Sequence, residues 1–490
     1  MNPFWLALYL LQTFVLGLLL LEYLTVRFGS RAETLAVAWL AGGFLLALLF
    51  FLTSWLVAPW TPGFARGLSA AVVLAGGGFL YTRREMLFPK SAETHLEKAP
   101  FRPPVALISD VLLAVFVISM LTDSVRNPVV SVDVRAHWGS HAKLYFHTGT
   151  LMPPELNVTE FVIGHAQYPF LQQANVAFLC MLTGQFSEWA ARLVPALFAI
   201  ALIVFMRWGL AGLDRLCGEN TGGGDASHWA SPVTAMACLV PCWTLYEHGA
   251  ADSGVADTTL AAFFLAAVLL ALRGVLEGST QILILSALLG AAAGLVKNEG
   301  LLLAPLFCLP LLLFAGRPRS LKAPALWSGV WLLALLPWLV ARGERASFYE
   351  ENYLANLIAW NWPHIARKAE PVLGQMGRYL LFMPHRFSLL GWLLVALTVR
   401  CLFRLIRERG LNPPLLILLS IWTYLAIVYL LFLVSPWFGD MQVRAAFDRI
   451  LTHLGPVVGM VAIHKNISEG IISTRLHIRR HIRHNVPLGR

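Results

Sequence analysis

Apolar runs recur along this chain from its start to about residue 464, each close to the roughly twenty residues that a helix needs to cross a bilayer core. Unpaired backbone does not survive in lipid, so each run is read as a helix. The runs fall near 3–26, 35–58, 67–82, 104–122, 187–208, 230–247, 256–274, 280–296, 300–315, 323–341, 388–406, 413–435 and 446–464. They predict an all-α polytopic membrane protein with about thirteen transmembrane helices. The first run follows only Met-Asn-Pro, with neither a basic n-region nor a small-residue cleavage site, and is expected to be retained. The piece from Tyr168 to Leu182 is apolar but short, and Gln172, Gln173 and Asn175 interrupt it. It is expected to lie as an amphipathic helix at the outer surface.

The loops set an orientation. If the stretch 123–188 faces outward, the greater part of the 37 Lys and Arg fall in the inward loops and in the tail from Lys465. The positive-inside rule supports that arrangement. Outward then lie 123–188, 247–257, Lys297-Asn-Glu299, 342–386 and 435–449. The expected organisation is three additional N-terminal helices in 1–103, a transmembrane module in 104–341, an outward loop with further helices in 342–464, and a basic cytoplasmic tail in 465–490.

Composition agrees. Apolar residues make up 58% of the chain and charged ones 13%, about half the charged share of a usual soluble domain. The six cysteines form neither a CxxC nor a Cys/His cluster, which argues against a disulfide framework or a zinc site. A formal charge of +10 raises nucleic acid as a partner. The basic residues instead sit in short loops beside apolar runs, and the tail suits anionic lipid headgroups.

Candidate chemistry lies in the outward loops. Asp133, Arg135, His137, His141, Lys143, His147, Glu155, Glu160 and His165 crowd one stretch with Trp138, Tyr145, Phe146 and Tyr168. Asp133 is either a general base toward an acceptor hydroxyl or amine, or a cap on the helix beginning near Arg135. Glu247, His248, Asp252 and Asp257 put three carboxylates between two spans, more than the one helix cap that Asp257 alone would provide. Lys297 and Glu299 form a charged break between apolar segments, either paired or binding an anionic headgroup. In Arg444-Ala-Ala-Phe-Asp448-Arg449-Ile-Leu-Thr-His453, Arg449 opens the last span, where the helix dipole disfavours a cation. An anionic partner is expected there, either Asp448 or a phosphate. Asp110, inside the fourth span, is expected to be paired within the membrane.

Together these motifs resemble the GT-C superfamily of integral-membrane glycosyltransferases, which includes protein O-mannosyltransferases, lipid A aminoarabinose transferases and oligosaccharyltransferases. Asp133 with Trp138, Ala142 and Lys143 is similar to that family's Asp-x-x-x-x-Trp-x-x-x-Ala-Lys spacing, and Gln167-Tyr168-Pro169 resembles its following Tyr-Pro element. Arg192, Gly254-Val-Ala-Asp257-Thr-Thr-Leu260, Lys297-Asn-Glu-Gly300 and Asp448-Arg449-Ile450 resemble later elements in the same order. Three spans precede the one leading into the loop, where the family has it first, and Asp133 is flanked by Val132 and Val134 rather than by a second acid.

The resemblance implies transfer of a sugar from a polyprenyl phosphate or diphosphate to a glycan, lipid or protein acceptor. Its setting would be a bacterial inner membrane, with the site facing the periplasm or exterior. Asp133 would be the catalytic base, and Lys297, Arg449, Arg135 and Lys143 would hold the donor phosphate. His165, Tyr168, Glu247, His248, Asp252, Asp257 and Glu299 would bind substrate. Asp252 and Asp257 leave a divalent cation open, being too few ligands to establish one. A polysaccharide polymerase or ligase using lipid-linked oligosaccharide shares this donor chemistry. A secondary transporter would need related halves and interrupted mid-membrane spans, and the sequence has no convincing internal repeat.

Overall fold

The computed structural model describes residues 2–83, 104–129, 131, 133–157, 166–218, 232–237, 255–314, 321–345, 353–359, 361–383, 387–408, 413–435 and 439–463. These residues are helical, with no strand among them. The helices are α1 (Pro3–Tyr23), α2 (Arg31–Leu56), α3 (Pro62–Thr82, passing through a π-turn at Val72–Gly76), α4 (Pro104–Arg126), α5 (Gly139–Thr148), α6 (Leu171–Thr183), α7 (Glu188–Gly218) and α8 (Asp257–Glu277). They continue as α9 (Thr280–Val296), α10 (Asn298–Phe314), α11 (Lys322–Gly343), α12 (Tyr353–Ala359), α13 (Trp362–Gly377), α14 (Ser388–Glu408), α15 (Pro413–Val434) and α16 (Gly439–Ile463).

Nine helices among the described residues are long and apolar enough to cross a membrane: α1, α2, α3, α4, α7, α8, α11, α14 and α15. The chain is therefore a polytopic helical membrane protein. Three of the thirteen expected spans, near 280–296, 300–315 and 446–464, correspond to shorter apolar helices in α9, α10 and α16. Of the expected span near 230–247 the described residues are 232–237, which are helical, and the tail lies outside the described residues.

Helix ends sort onto two faces. Arg273 of α8 meets Glu33 of α2 at 2.9 Å and also pairs with Glu277, while Arg27 pairs with Glu22 at 2.7 Å. At the far ends of α2 and α8 lie Ser54, which accepts from Leu151 N at 3.4 Å, and Asp257. Asp110 pairs with Arg207 of α7 at 3.3 Å, the internal partner that a carboxylate within a span requires.

The three N-terminal helices belong to the bundle. α2 packs against α6 and α7, and α1 against α2 and α6. Tyr9 of α1 donates to Asn175 Oδ1 at 3.1 Å, and Asn175 Nδ2 donates to Gly43 O at 3.0 Å. This corrects the surface placement of the Tyr168–Leu182 piece. It does form a helix, α6, but every residue from Leu171 to Leu182 is buried. The polar side chains expected to face water turn inward instead: Gln172 Oε1 accepts from Thr259 Oγ1 of α8 at 2.7 Å. α5 keeps the amphipathic character expected of a surface helix, burying His141, Ala142 and Tyr145 while exposing Lys143 and His147.

Candidate functional site

Asp257 begins α8, after the N-cap residue Ala256, and is fully buried, with its carboxylate paired to side chains of other segments. Its Oδ1 accepts from Lys297 Nζ at 2.9 Å and lies 2.9 Å from His453 Nε2, while its Oδ2 accepts from Arg449 Nε at 3.0 Å. Lys297 also meets Glu299 Oε1 at 3.0 Å, and Arg449 Nη1 reaches Asp133. Four separate stretches of sequence thus meet in one charge network centred on Asp257.

Local geometry fixes each member. Lys297 is the extended residue between α9 and α10, and the hairpin is closed by Gly300, whose N–H donates to Lys297 O at 3.0 Å. A Cβ at Gly300 would stand 2.1 Å from Ala293 O, so only glycine lets α10 pack this tightly on α9. Arg449 and His453 are four apart on α16, which puts both on one helix face. Tyr424 of α15 is buried within electrostatic reach of Glu299 and Asp257. Burial works against the Lys297 ammonium, but Asp257 and Glu299 outweigh it and hold Lys297 above the ordinary lysine range.

Asp133 precedes a π-turn, Val134–Trp138, that runs into α5, and its side chain makes no cap hydrogen bond. The segment leading to it is tied to α7. Arg192 pairs with Asp123 and donates to Asn127 O at 2.6 Å, and Glu188 accepts from Val129 N at 3.3 Å. Arg135 donates to Val129 O through Nε at 2.9 Å and Nη2 at 2.6 Å. Through these two bonds the exposed Arg135 side chain holds the backbone that carries Asp133. Lys143 stands exposed on α5 and takes no part in the network.

Tyr168 is half-buried and stacks on Trp138, ring centres 5.4 Å apart, which puts it beside the Asp133 turn. Next to it, Gln167 Oε1 accepts from Arg342 Nε at 3.4 Å, and Arg342 Nη1 donates to Asn298 Oδ1 at 3.3 Å. The Gln167–Tyr168 element, the end of α11 and the Lys297–Glu299 turn are therefore neighbours. His165, Glu247, His248 and Asp252 lie outside the described residues.

Arg449 stands well inside α16, ten residues after Gly439, rather than opening the helix as expected, so the dipole sets no cost there; its anionic partners are Asp133 and Asp257. His453 carried no role in the sequence reading; its one signal there is the four-residue spacing from Arg449. Both oxygens of Asp257 face Lys297, His453 or Arg449, and Asp252, the other carboxylate named for a divalent cation, lies outside the described residues. Among the described residues no group of three or more His, Cys, Asp and Glu is placed to hold one.

Comparison with protein-family models, with curated proteins and with solved structures finds no match.

Proposed function

We propose that this protein is a membrane glycosyltransferase of the GT-C type, moving a sugar from a polyprenyl phosphate or diphosphate to an acceptor on the extracytoplasmic side of a bacterial inner membrane. One observation carries the reading. Arg449 is held on its Nε edge by a fully buried carboxylate, Asp257, and on Nη1 by Asp133, whose side chain is 38% exposed. A cation fixed from behind and facing an accessible carboxylate suits a reaction that needs an anion ligand beside a base.

In that reaction the acceptor oxygen attacks the anomeric carbon while its proton passes to Asp133. The bond from that carbon to the phosphate oxygen breaks, its electron pair leaves with the phosphate, and Arg449 stabilises the charge that grows there. Lys297 is a positioning residue, since its ammonium holds Asp257 and Glu299. Tyr168 and Trp138 offer an aromatic wall for the sugar. The basic loops, which the sequence gathers on the other side of the membrane, support the extracytoplasmic assignment.

Purified protein incubated with labelled polyprenyl-phosphate sugars tests the reading. Transfer of label to an acceptor, lost in Asp133→Asn, is the expected result. Transfer of a preassembled oligosaccharide alone would move the protein to the polymerases and ligases, and uptake into vesicles without covalent transfer would make it a carrier.

A further inference from the structure

A second positive surface lies on α14, away from Asp257. Leu390, Leu394, Leu397 and Cys401 recur on one side of this helix and are buried, where it packs on α15 and α16. The side turned outward carries Ala396, Val399, Arg400, Phe403, Arg404 and Arg407, which line one open groove of about 580 Å³. The three arginines follow at intervals of four and three residues, so they share a face.

Their depth is informative. α14 begins at Ser388, following the turn from α13, and α13 packs on α15 and α16 with Lys368 donating to Ser435 O at 2.6 Å. That end lies on the Lys297 side of the bundle. At 1.5 Å per residue Arg400 stands about 18 Å along the helix and Arg407 about 28 Å. With a hydrocarbon core of about 30 Å, the three occupy its far half, up to the opposite boundary. Val399, Phe403 and Ile406 around them are exposed at 47%, 69% and 75%, so this face meets lipid rather than the bundle. Arg400 and Arg407, both exposed on this face, are costly at this depth unless an anion accompanies them.

A guanidinium fork matches phosphate oxygens bidentately, and the groove supplies apolar walls beside the forks of Arg400 and Arg407. We propose that this face of α14 binds the phosphate headgroup of an anionic phospholipid from the leaflet opposite the Asp257 network, with Val399 and Phe403 along an acyl chain. This site is independent of the glycosyl-transfer reading.

Native mass spectrometry of the purified full chain tests it, offering phosphatidylglycerol, phosphatidylcholine of the same acyl chains, or inorganic phosphate. Wild type is expected to retain phosphatidylglycerol over phosphatidylcholine by at least about tenfold, given about fivefold per arginine near a headgroup plane. The variant Arg400→Gln/Arg404→Gln/Arg407→Gln, eluting as a single species, is expected to lose that preference. If the triple variant does not fold, Arg400→Gln and Arg407→Gln singly should each reduce the preference several-fold. Equal retention of the two lipids by wild type, a preference that survives in the variants, or binding of inorganic phosphate without lipid selectivity would overturn the proposal.

Discussion

Asp133 and Arg449, 316 positions apart in the chain, form an ion pair whose two ends differ in exposure: 38% for the Asp133 side chain and 16% for that of Arg449. Arg449 is also anchored to Asp257 at 3.0 Å, so an arriving anion displaces Asp133 more readily than it moves the guanidinium. On the proposed reaction, a donor phosphate would take the place of Asp133 on Arg449 and release the base in the same event. Asp133→Asn is therefore expected to tighten binding of farnesyl phosphate by up to about fivefold, since a part-exposed pair is worth up to about 1 kcal/mol. Turnover is expected to fall about 10²- to 10⁴-fold. Calorimetry and a transfer assay on the same preparation separate the two effects. Lost turnover with unchanged affinity would remove the exchange but keep the base, whereas unchanged turnover would remove the base.

Asp257 compensates two buried cations at once, Lys297 and Arg449. Breaking a buried ion pair from one side strands the remaining charge, at a cost of about 3–5 kcal/mol. Asp257→Asn should lower the melting temperature in detergent sharply. Asp257→Asn with Lys297→Met should recover part of the loss, because the two residues share one interaction and their effects do not add. Additive losses in that cycle would show that the pair is not coupled as its 2.9 Å separation indicates.

The helices were legible in the sequence because bilayer thickness fixes the length of an apolar run, and Asp133, Asp257, Lys297, Glu299 and Arg449 stood out as ionisable residues at its ends. Their partners were not legible. Asp257 lies 40 positions from Lys297 and 192 from Arg449, and no periodicity links positions on different helices. His453 sits inside an apolar run, where nothing but its spacing from Arg449 distinguishes it. Arg135 and Arg449 are both arginines in charged stretches, yet Arg135 donates to the Val129 carbonyl while Arg449 joins two carboxylates. α6 misled for a related reason: Gln172 and Asn175 imply water when read along the sequence, but hydrogen-bond partners on α8, α1 and α2 satisfy them inside the bundle.

The hairpin at Lys297 depends on Gly300. An added Cβ would meet the Ala293 carbonyl oxygen at 2.1 Å, and since that atom belongs to helix backbone it cannot rotate away. Gly300→Ala should cost about 1–3 kcal/mol by forcing α9 and α10 apart. It should also weaken transfer, because Lys297 would move with the hairpin. Gly329→Ala on α11, with nothing within 4 Å of the new Cβ, is the control and should be neutral or slightly stabilising. Equal melting temperatures for the two variants would contradict the close packing at Gly300.

Lys297 predicts a pH dependence whose sign follows from its neighbours. Burial opposes its charge, but Asp257 and Glu299 outweigh burial, so its pKa in the folded protein stands above that in the unfolded chain. A raised pKa means that the folded state binds the proton more tightly than the unfolded one. The stabilisation is then fully present below the unfolded value, about 10.4, and is lost as pH rises through the higher folded value. The gap in melting temperature between wild type and Lys297→Gln should stay constant from about pH 7 to 9 and narrow above about pH 10.5. A gap that widened with alkalinity would mean that Lys297 is held neutral by burial, and that the carboxylates around it do not govern its charge.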